Sequence, residues 1–375
     1  MDSVLGRVAG AGCVGIWTVL ALLRGSFWRL REHLNVQAAG KSLSEGVVAV
    51  IPARDERETI EATVASLRAQ TGVGTLRIVV ADDESSDGTG DAALAAGAEV
   101  VRVGPRPSGW KGKLWAVSAG VAAAGPAGSY FLLTDADIAY AAPDVVRALL
   151  DRASEGFDLV SVMARLRCES FAEKMLIPAF VFFFFMLYPP EWVRSGKGAA
   201  AAAGGCMLIR REMLERIGGI AAIRGALIDD CALAAAVKSA GGRVWLGTAG
   251  DAVVSLRGYG RAGEIRAMIA RSAFAQLRHS GWILAGTVPG LVATYLLPVM
   301  LLLSGDEVAA GLGLTSWLIG ATLFAPTVRM YRAPFWTAFC LPVIAAFYLE
   351  ATVESAIDYW NGRGGRWKGR VQDSR

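Results

Sequence analysis

The first pattern along the chain is a series of short apolar runs separated by segments of mixed polarity. The runs are VVAVIPA at 47–53, LRIVVADD at 76–83, AEVVRV at 98–103 and YFLLTDAD at 130–137. Helical patterns lie between them, for example from Glu58 to Gln70. Near-continuous apolar strands that alternate with helices predict a mostly parallel sheet covered on both faces. We therefore predict one α/β domain over residues 45–280.

Longer apolar stretches at the start of the chain predict a membrane anchor. Residues 8–23 are apolar, and they are followed by Arg24, Arg29 and Arg31. A cleaved secretory signal carries its positive charges ahead of the apolar run instead. The order found here predicts an uncleaved anchor, residues 1–30, whose C-terminal end and following domain are cytoplasmic.

The end of the chain is apolar again over 281–304, 308–328 and 334–353. Each stretch is long enough to cross a bilayer, so we predict C-terminal membrane segments over 281–358 and a basic tail over 359–375. If all three stretches crossed the membrane, the orientation of the anchor would place the basic tail outside. This conflicts with the rule that short basic tails stay cytoplasmic. We therefore predict that 334–353 is re-entrant or interfacial, and that the protein is a multi-pass protein of the inner membrane.

A further apolar run, MLIPAFVFFFFMLYPP at 175–190, is short and closed by two prolines. We predict an interfacial or re-entrant segment, and a buried core helix of the α/β domain remains the equal alternative.

Composition agrees with a soluble domain joined to membrane segments. The chain of 375 residues is 54% hydrophobic and 19% charged, and its mean hydropathy is +0.41. The net charge of +4 is modest, and basic residues cluster near the apolar segments, which favours a membrane surface over nucleic acid. Five scattered cysteines and two histidines offer little to zinc, so any metal is expected to be a hard cation held by oxygen.

Three of the four apolar runs end in carboxylates, and ligands of parallel sheets bind beyond the carboxyl ends of the strands. The acidic residues are Asp55 and Glu56, then Asp82 and Asp83, then Asp135 and Asp137. Helix capping is a sufficient account of Asp55, and the Ser/Asp/Gly cluster after Asp83 is also a good turn signal. A D-x-D alone is a weak motif, but at a strand end it suits Mg²⁺ or Mn²⁺ that bridges phosphate oxygens.

Two further motifs complete the candidate site. Lys111 and Lys113 lie in a glycine-flanked loop that opens a helix, which suits an anionic ligand such as a diphosphate, although a solvated basic loop is the common alternative. Asp229 and Asp230 begin an amphipathic helix, where the helix dipole alone favours acidic residues.

The ordered motifs together resemble the family 2 glycosyltransferases, which have a nucleotide-diphospho-sugar-binding (GT-A-like) fold with one mixed sheet. The motifs are IPARDE (51–56), ADDESSDGT (81–89), GWKGK (109–113), TDAD (134–137), GGCMLIRREMLERIGG (204–219) and IDDCAL (228–233). With the anchor, the aromatic run, the C-terminal spans and YWNGRGGRWKGR at 359–370, the chain is most similar to hopanoid-associated membrane glycosyltransferases.

The resemblance implies a role for each matched position. Glu56 and Asp83 would hold the nucleoside, Pro52 would shape the turn, and Lys113 would lie near the diphosphate. Asp135 and Asp137 would carry Mg²⁺ or Mn²⁺ on the diphosphate of the donor, and Asp230 would be the base.

Two departures from the family pattern affect the expected reaction. The acidic pair is Asp229-Asp230 rather than Glu-Asp, and the Q-x-x-R-W motif of processive synthases is absent around Arg278. We therefore expect inverting transfer of a single sugar to a membrane lipid, such as a hopanoid, rather than polymer synthesis. A nucleotidyltransferase on the same fold and a membrane adaptor that binds nucleotide sugars without turnover are the alternatives.

Overall fold

The computed structural model describes residues 3–36, 43–196, 198–367 and 370–371. The nine strands of the catalytic region are β1 Gly46–Ala53, β2 Thr75–Asp82, β3 Glu99–Arg102, β4 Tyr130–Thr134, β5 Ile138–Tyr140, β6 Leu159–Met163, β7 Cys206–Arg210, β8 Val244–Thr248 and β9 Val253–Ser255. A short pair, β10 Arg366–Trp367 and β11 Arg370–Val371, follows in the tail. Lys368 and 372–375 of the predicted basic tail lie outside the described residues.

Fifteen α-helices occur in the described part of the chain. They are α1 Ser3–Leu23, α2 Ile60–Arg68, α3 Thr89–Ala95, α4 Gly112–Ala123, α5 Val145–Ser154, α6 Phe171–Leu187, α7 Pro190–Ser195, α8 Arg211–Arg216, α9 Asp229–Ser239, α10 Ala262–Ala270, α11 Ala273–Gln276, α12 Gly281–Leu291, α13 Leu297–Leu301, α14 Glu307–Met330 and α15 Leu341–Trp360.

Seven strands form one sheet in the order β3-β2-β1-β4-β7-β6-β8. All neighbours pair in parallel except β7, which runs antiparallel to both β4 and β6. The central strands are fully buried apolar runs, as expected for a sheet with helices on both faces. The predicted mostly parallel mixed sheet is therefore confirmed, and the four predicted runs are its strands β1 to β4.

The sheet opens at the carboxyl ends of β1 and β4. The last residue pair between these two strands is Val50 with Leu133, so Pro52 lies beyond the paired part of β1 on that side. After β4 the chain turns into β5, which pairs antiparallel with β9 in a separate small sheet. This divergence leaves a gap at the edge where ligands of parallel sheets bind.

Helix α4 lies close against β1 because of a glycine. A Cβ added at Gly120 would stand 2.5 Å from Val50 Cγ1, so a larger residue there would push the helix away. The close approach fixes the start of α4, where Lys113 lies, over the open edge of the sheet.

Five helical segments are long and apolar enough to cross a membrane: Ser3–Leu23, Phe171–Ser195, Gly281–Leu301, Glu307–Met330 and Phe335–Trp360. Three of them pack together as a bundle. The Trp17 indole donates a hydrogen bond to the Thr294 carbonyl at 3.0 Å, and Arg7 pairs with Asp306 at 2.8 Å, which ties the start of α1 to the start of α14.

The segment Phe335–Trp360 turns back along α14. After α14 ends, a 3₁₀ helix over Phe335–Cys340 runs along it until the Phe339 carbonyl accepts a hydrogen bond from the Trp317 indole at 2.9 Å. At a rise of 1.5 Å per residue, Trp317 is roughly 20 Å from the C-terminal end of α14 and roughly 15 Å from its start. The turn into α15 therefore lies near the middle of the bundle.

Helix α15 then returns to the catalytic domain. Arg266 of α10 pairs with Glu350 at 3.1 Å and with Glu354 at 3.2 Å, and the Ser355 hydroxyl accepts a hydrogen bond from the Phe274 amide at 3.0 Å. Both ends of this last apolar segment consequently lie on the side of the bundle that faces the catalytic domain.

The phenylalanine-rich run forms α6, which is packed on several sides. Phe182 is buried against Phe27 and Phe324, and the Tyr348 hydroxyl donates to the Leu176 carbonyl at 2.9 Å. Its first turn is fixed to the catalytic domain, because the Glu173 carboxylate accepts the Tyr259 amide at 2.7 Å. The helix thus lies buried at the junction of the catalytic domain with the membrane bundle.

Candidate active site

A cleft opens at the carboxyl edge of the sheet, between β1, β4 and the start of α4. It has an empty volume of about 320 Å³ and is open to solvent. Its polar lining includes Lys113, Asp135 and Asp229, and its apolar lining includes Pro52 and Leu133. Residues from four of the predicted motifs therefore meet in one place, which we call the strand-end cleft.

Lys113 joins two of the predicted acidic motifs. Its Nζ lies 2.9 Å from Asp135 Oδ1 and 3.0 Å from Asp229 Oδ2. Burial opposes the charge of Lys113, but the two carboxylates outweigh that effect and raise the pKa of the lysine. The lysine is therefore firmly cationic, and it sets the distance between the D-x-D motif and the start of α9.

Asp230 is held by backbone amides at the start of α9. Its Oδ2 accepts a hydrogen bond from the Gly204 amide at 2.9 Å, and its Oδ1 accepts from the Cys231 amide at 2.7 Å. Burial and then the charge of Asp229 raise the pKa of Asp230 to about 6, which Lys113 partly opposes. A carboxylate with that pKa is ionised at neutral pH and is a stronger base than an ordinary aspartate.

Asp137 is paired with an arginine that the sequence analysis did not single out. Arg257 follows β9, and its Nε lies 2.8 Å from Asp137 Oδ2 while its Nη2 lies 2.6 Å from Glu56 Oε1. Burial opposes the charge of Arg257, and Asp137 and Glu56 outweigh it and raise the pKa of the guanidinium. Glu56 and Asp137, which the motifs assigned to different ligands, are therefore joined by one side chain.

The first two acidic turns are tied to each other by hydrogen bonds. Arg54 Nη1 donates to the buried Asp83 carbonyl at 2.6 Å, and the Ser86 amide donates to Asp55 Oδ1 at 2.9 Å. The Glu56 amide donates to Thr89 Oγ1 at 2.8 Å. Asp55 thus joins two loops rather than capping only its own helix.

The segment that stands where Q-x-x-R-W would lie contacts the end of α6. The Tyr188 hydroxyl donates to Gln276 Oε1 at 2.5 Å, and His279 stacks on Tyr359 with 4.3 Å between ring centroids. Tyr188 also interacts with Cys231, the neighbour of Asp230. The C-terminal end of the apolar helix therefore lies beside the candidate base.

The donor chemistry of the site fits a hard divalent cation. Within the described ranges, no group of three or more His, Cys, Asp or Glu side chains is clustered to hold a metal by itself. Asp135 and Asp137 offer carboxylate oxygens from the short turn between β4 and β5, and Mg²⁺ is commonly held by one or two carboxylates with water and substrate phosphates. The predicted metal site is thus chemically suitable but incomplete without a phosphate ligand.

The comparison with protein families agrees with the fold and the motifs. Residues 48–218 match the model of the family described as Glycosyl transferase family 2. The match includes the D-x-D motif and ends before the acidic pair on α9. Over those residues the chain is similar to a family of glycosyltransferases, in agreement with the resemblance of the motifs.

Two solved structures are similar to the chain at low sequence identity. A mannosyltransferase from Pyrobaculum calidifontis, in complex with GDP-Man and Mn²⁺, superposes with a TM-score of 0.54 and 19% identity over 94% of this chain and 99% of that one. A glucosyl-3-phosphoglycerate synthase from Mycobacterium tuberculosis, in complex with Mn²⁺ and UDP-glucose, has a TM-score of 0.43 and 20% identity over 66% of this chain and 86% of that one. No curated protein matches the chain in sequence.

Proposed function

We propose that the protein transfers a single sugar from a nucleotide-diphospho-sugar to a hydroxyl of a membrane lipid, with inversion at the anomeric carbon. The observation that carries the proposal is the strand-end cleft, where Lys113, Asp135, Asp229 and Asp230 converge beside the end of the apolar helix α6. An acceptor hydroxyl that reaches this place from the bilayer would meet a base and a bound donor together.

The charges of the cleft support a metal-dependent donor. Five carboxylates (Glu56, Asp135, Asp137, Asp229 and Asp230) lie around the cationic side chains of Lys113 and Arg257. A diphosphate would be repelled by this surplus of negative charge unless a divalent cation came with it. Mg²⁺ or Mn²⁺ on Asp135 and Asp137 would supply that charge and stabilise the departing diphosphate.

Each remaining predicted residue has a role that follows from its place. Asp230, with its raised pKa, would take the proton of the acceptor hydroxyl as it attacks the anomeric carbon. Lys113 would hold the diphosphate side of the donor, and Glu56 and Asp83 would hold the nucleoside near Pro52. One base and an in-line displacement give inversion.

The lipid acceptor is supported by the position of α6. Its last exposed residue, Leu187, has 49% of its surface accessible and directly precedes Tyr188 beside the base. A polycyclic lipid such as a hopanoid is the acceptor we propose, on the resemblance of the whole chain to hopanoid-associated glycosyltransferases.

The proposal is tested by following the sugar. Purified protein in vesicles that contain hopanoids is incubated with sugar-labelled nucleotide sugars and Mn²⁺, and lipids and nucleotides are separated. We expect label in the lipid fraction and release of a nucleoside diphosphate. Release of a labelled sugar phosphate, the group that leaves when the α-phosphate of the donor is attacked, would instead indicate a nucleotidyltransferase. Binding without any product would indicate an adaptor.

We expect Leu187→Ser to raise the KM for the lipid acceptor about fivefold, since covering the exposed half of a leucine contributes about 1 kcal/mol. Phe182 and Phe185 are unsuitable for this test because they are buried in the core. Leu94→Ser on α3 is the matched control, since Leu94 is 62% exposed and belongs to the sheet face away from α6. An unchanged KM in both variants would contradict acceptor entry along α6.

We further propose that the catalytic domain is cytoplasmic, at the inner membrane, and that 334–353 is re-entrant. Support comes from the turn at Phe339 near the middle of α14 and from the pairing of Glu350 with Arg266. The C-terminal end of α1 is expected in the cytoplasm, so the start of α1 is expected outside. The Arg7–Asp306 pair supports the same outer position for the loop at Ser304.

A single cysteine at the C-terminus, in a variant without the five native cysteines, is expected to resist an impermeant maleimide in spheroplasts. A cysteine introduced at Ser304 is the control and is expected to react. Labelling of the C-terminus before lysis would mean that 334–353 spans the membrane.

A further inference from the structure

Arg257 is bonded to Asp137 and Glu56, the two carboxylates to which the proposed function assigns the metal and the nucleoside of the donor. Its guanidinium is bonded to Asp137 and Glu56 at once, and 38% of its side chain is still exposed. Asp137 and Glu56 are nearly buried, with 11% and 13% of their side chains accessible. The arginine therefore covers these two carboxylates like a bound cation.

The backbone around Arg257 holds it in this position. Ser255 pairs with Ile138 between β9 and β5, and the Leu256 amide donates to the Asp137 carbonyl at 2.7 Å. On the other side, Tyr259 is tied to Glu173 of α6. The segment that carries Arg257 is thus fixed beside the D-x-D motif, so its guanidinium remains near Asp137 whatever its own hydrogen-bond partner is.

A divalent cation and a guanidinium on the same carboxylate repel each other unless an anion lies between them. A diphosphate is such an anion, and arginine binds phosphate oxygens with two parallel hydrogen bonds. The arrangement consequently has two stable forms: Arg257 on Asp137 and Glu56 without ligand, or the metal on Asp137 with Arg257 turned to the diphosphate.

On the basis of the proposed function, we propose that Arg257 makes metal binding conditional on the nucleotide diphosphate. Without the nucleotide, Arg257 opposes the metal at Asp137. With the nucleotide, Arg257 binds the diphosphate and no longer competes. Metal and nucleotide would then strengthen each other's binding, and by linkage the coupling is the same in both directions.

The test uses the full-length protein in detergent and two titrations. Binding of Mn²⁺ alone is followed by the electron paramagnetic resonance signal of the free ion, and binding of UDP or GDP in excess Mn²⁺ is followed by calorimetry. We expect Arg257→Gln to bind Mn²⁺ alone about tenfold more tightly than the wild type and the nucleoside diphosphate about tenfold more weakly, within the usual range of ligand coupling.

Opposite changes in one variant separate this role from simple damage, because an unfolded site would bind both ligands more weakly. Arg257→Lys keeps the positive charge that opposes the ion, so it is expected to bind Mn²⁺ alone as weakly as the wild type does. Arg261→Gln, an exposed position on the same segment, is the matched control and should change neither titration. Weakening of both ligands in Arg257→Gln, or no change in either, would overturn the proposal.

Failure of the proposed function gives a different result. If neither UDP nor GDP binds to the wild type in Mn²⁺, the nucleotide-sugar function is wrong. The titration of Mn²⁺ alone still decides whether Arg257 opposes the ion at Asp137.

Discussion

Replacement of Asp230 by asparagine is expected to lower turnover about 100-fold or more, the usual contribution of a general base, while donor binding stays nearly unchanged. Asparagine has almost the same shape and still offers one oxygen to the two backbone amides that hold Asp230 in place. It cannot take a proton from the acceptor hydroxyl. Single-turnover kinetics and nucleotide titrations separate the two effects.

The pH dependence gives an independent readout of the same residue. Because the base must be deprotonated, kcat/KM is expected to fall about tenfold per pH unit below the pKa of Asp230, which is about 6. Burial raises that pKa, and so does the neighbouring charge of Asp229. Asp229→Asn removes the repulsion and should move the acid limb to lower pH, whereas Asp230→Asn should lack this limb.

Asp229→Asn serves as the matched control for the size of the effect. Asp229 pairs with Lys113 rather than with a backbone amide, so its loss is expected to weaken donor binding more than turnover. If turnover fell more in Asp229→Asn than in Asp230→Asn, the roles of the two aspartates would be exchanged.

The central sheet was predictable because its strands are buried on both faces. β1 and β4 are continuous apolar runs, β2 is apolar from Ile78 to Ala81, and such runs have few alternatives to a parallel sheet. The antiparallel position of β7 was not predictable from residues alone, because direction depends on the path of the connections. It was implied only by the resemblance to a family with a mixed sheet.

The apolar helices show what composition cannot decide. The segments over 171–195 and 335–360 are as hydrophobic as a true span, with mean hydropathies of 1.7 and 1.5. Composition also gives no sign of their partners: Glu173 binds the Tyr259 amide, and Glu350 pairs with Arg266 of the catalytic domain. These contacts join residues more than 80 positions apart, which no local pattern contains.

Site residues that belong to a local sequence motif were predictable. Residues that reach the site only through contacts with distant parts of the chain were not. Asp135, Asp137 and Asp230 follow from strand ends and a helix start. Arg257 lies 120 residues from Asp137 and 201 residues from Glu56 along the chain, in the loop SLRGYG. Its glycine neighbours were a weak signal of a loop near the cleft, and only the pairing of β5 with β9 brings it there.

Asp137→Asn is expected to lower activity about 100- to 1,000-fold, the scale found when one electrostatic partner of a developing charge is removed. Asparagine is a poor ligand for Mg²⁺ or Mn²⁺, and it removes one of the two carboxylates that hold Arg257. The fold should survive, because the carbonyl of residue 137 still accepts the Leu256 amide. Activity and the melting temperature are measured together.

Asp251→Asn is the matched control, since Asp251 pairs with Arg332 at 2.6 Å outside the cleft. This variant should retain activity. That result would show that the loss of an ion-paired aspartate does not by itself abolish activity. Excess chelator should silence the wild type, and added Mn²⁺ should restore it, but Mn²⁺ should not restore Asp137→Asn. Full turnover in excess chelator would contradict a metal on the D-x-D motif. The diphosphate would then bind beside a surplus of carboxylates with no divalent cation to offset their charge.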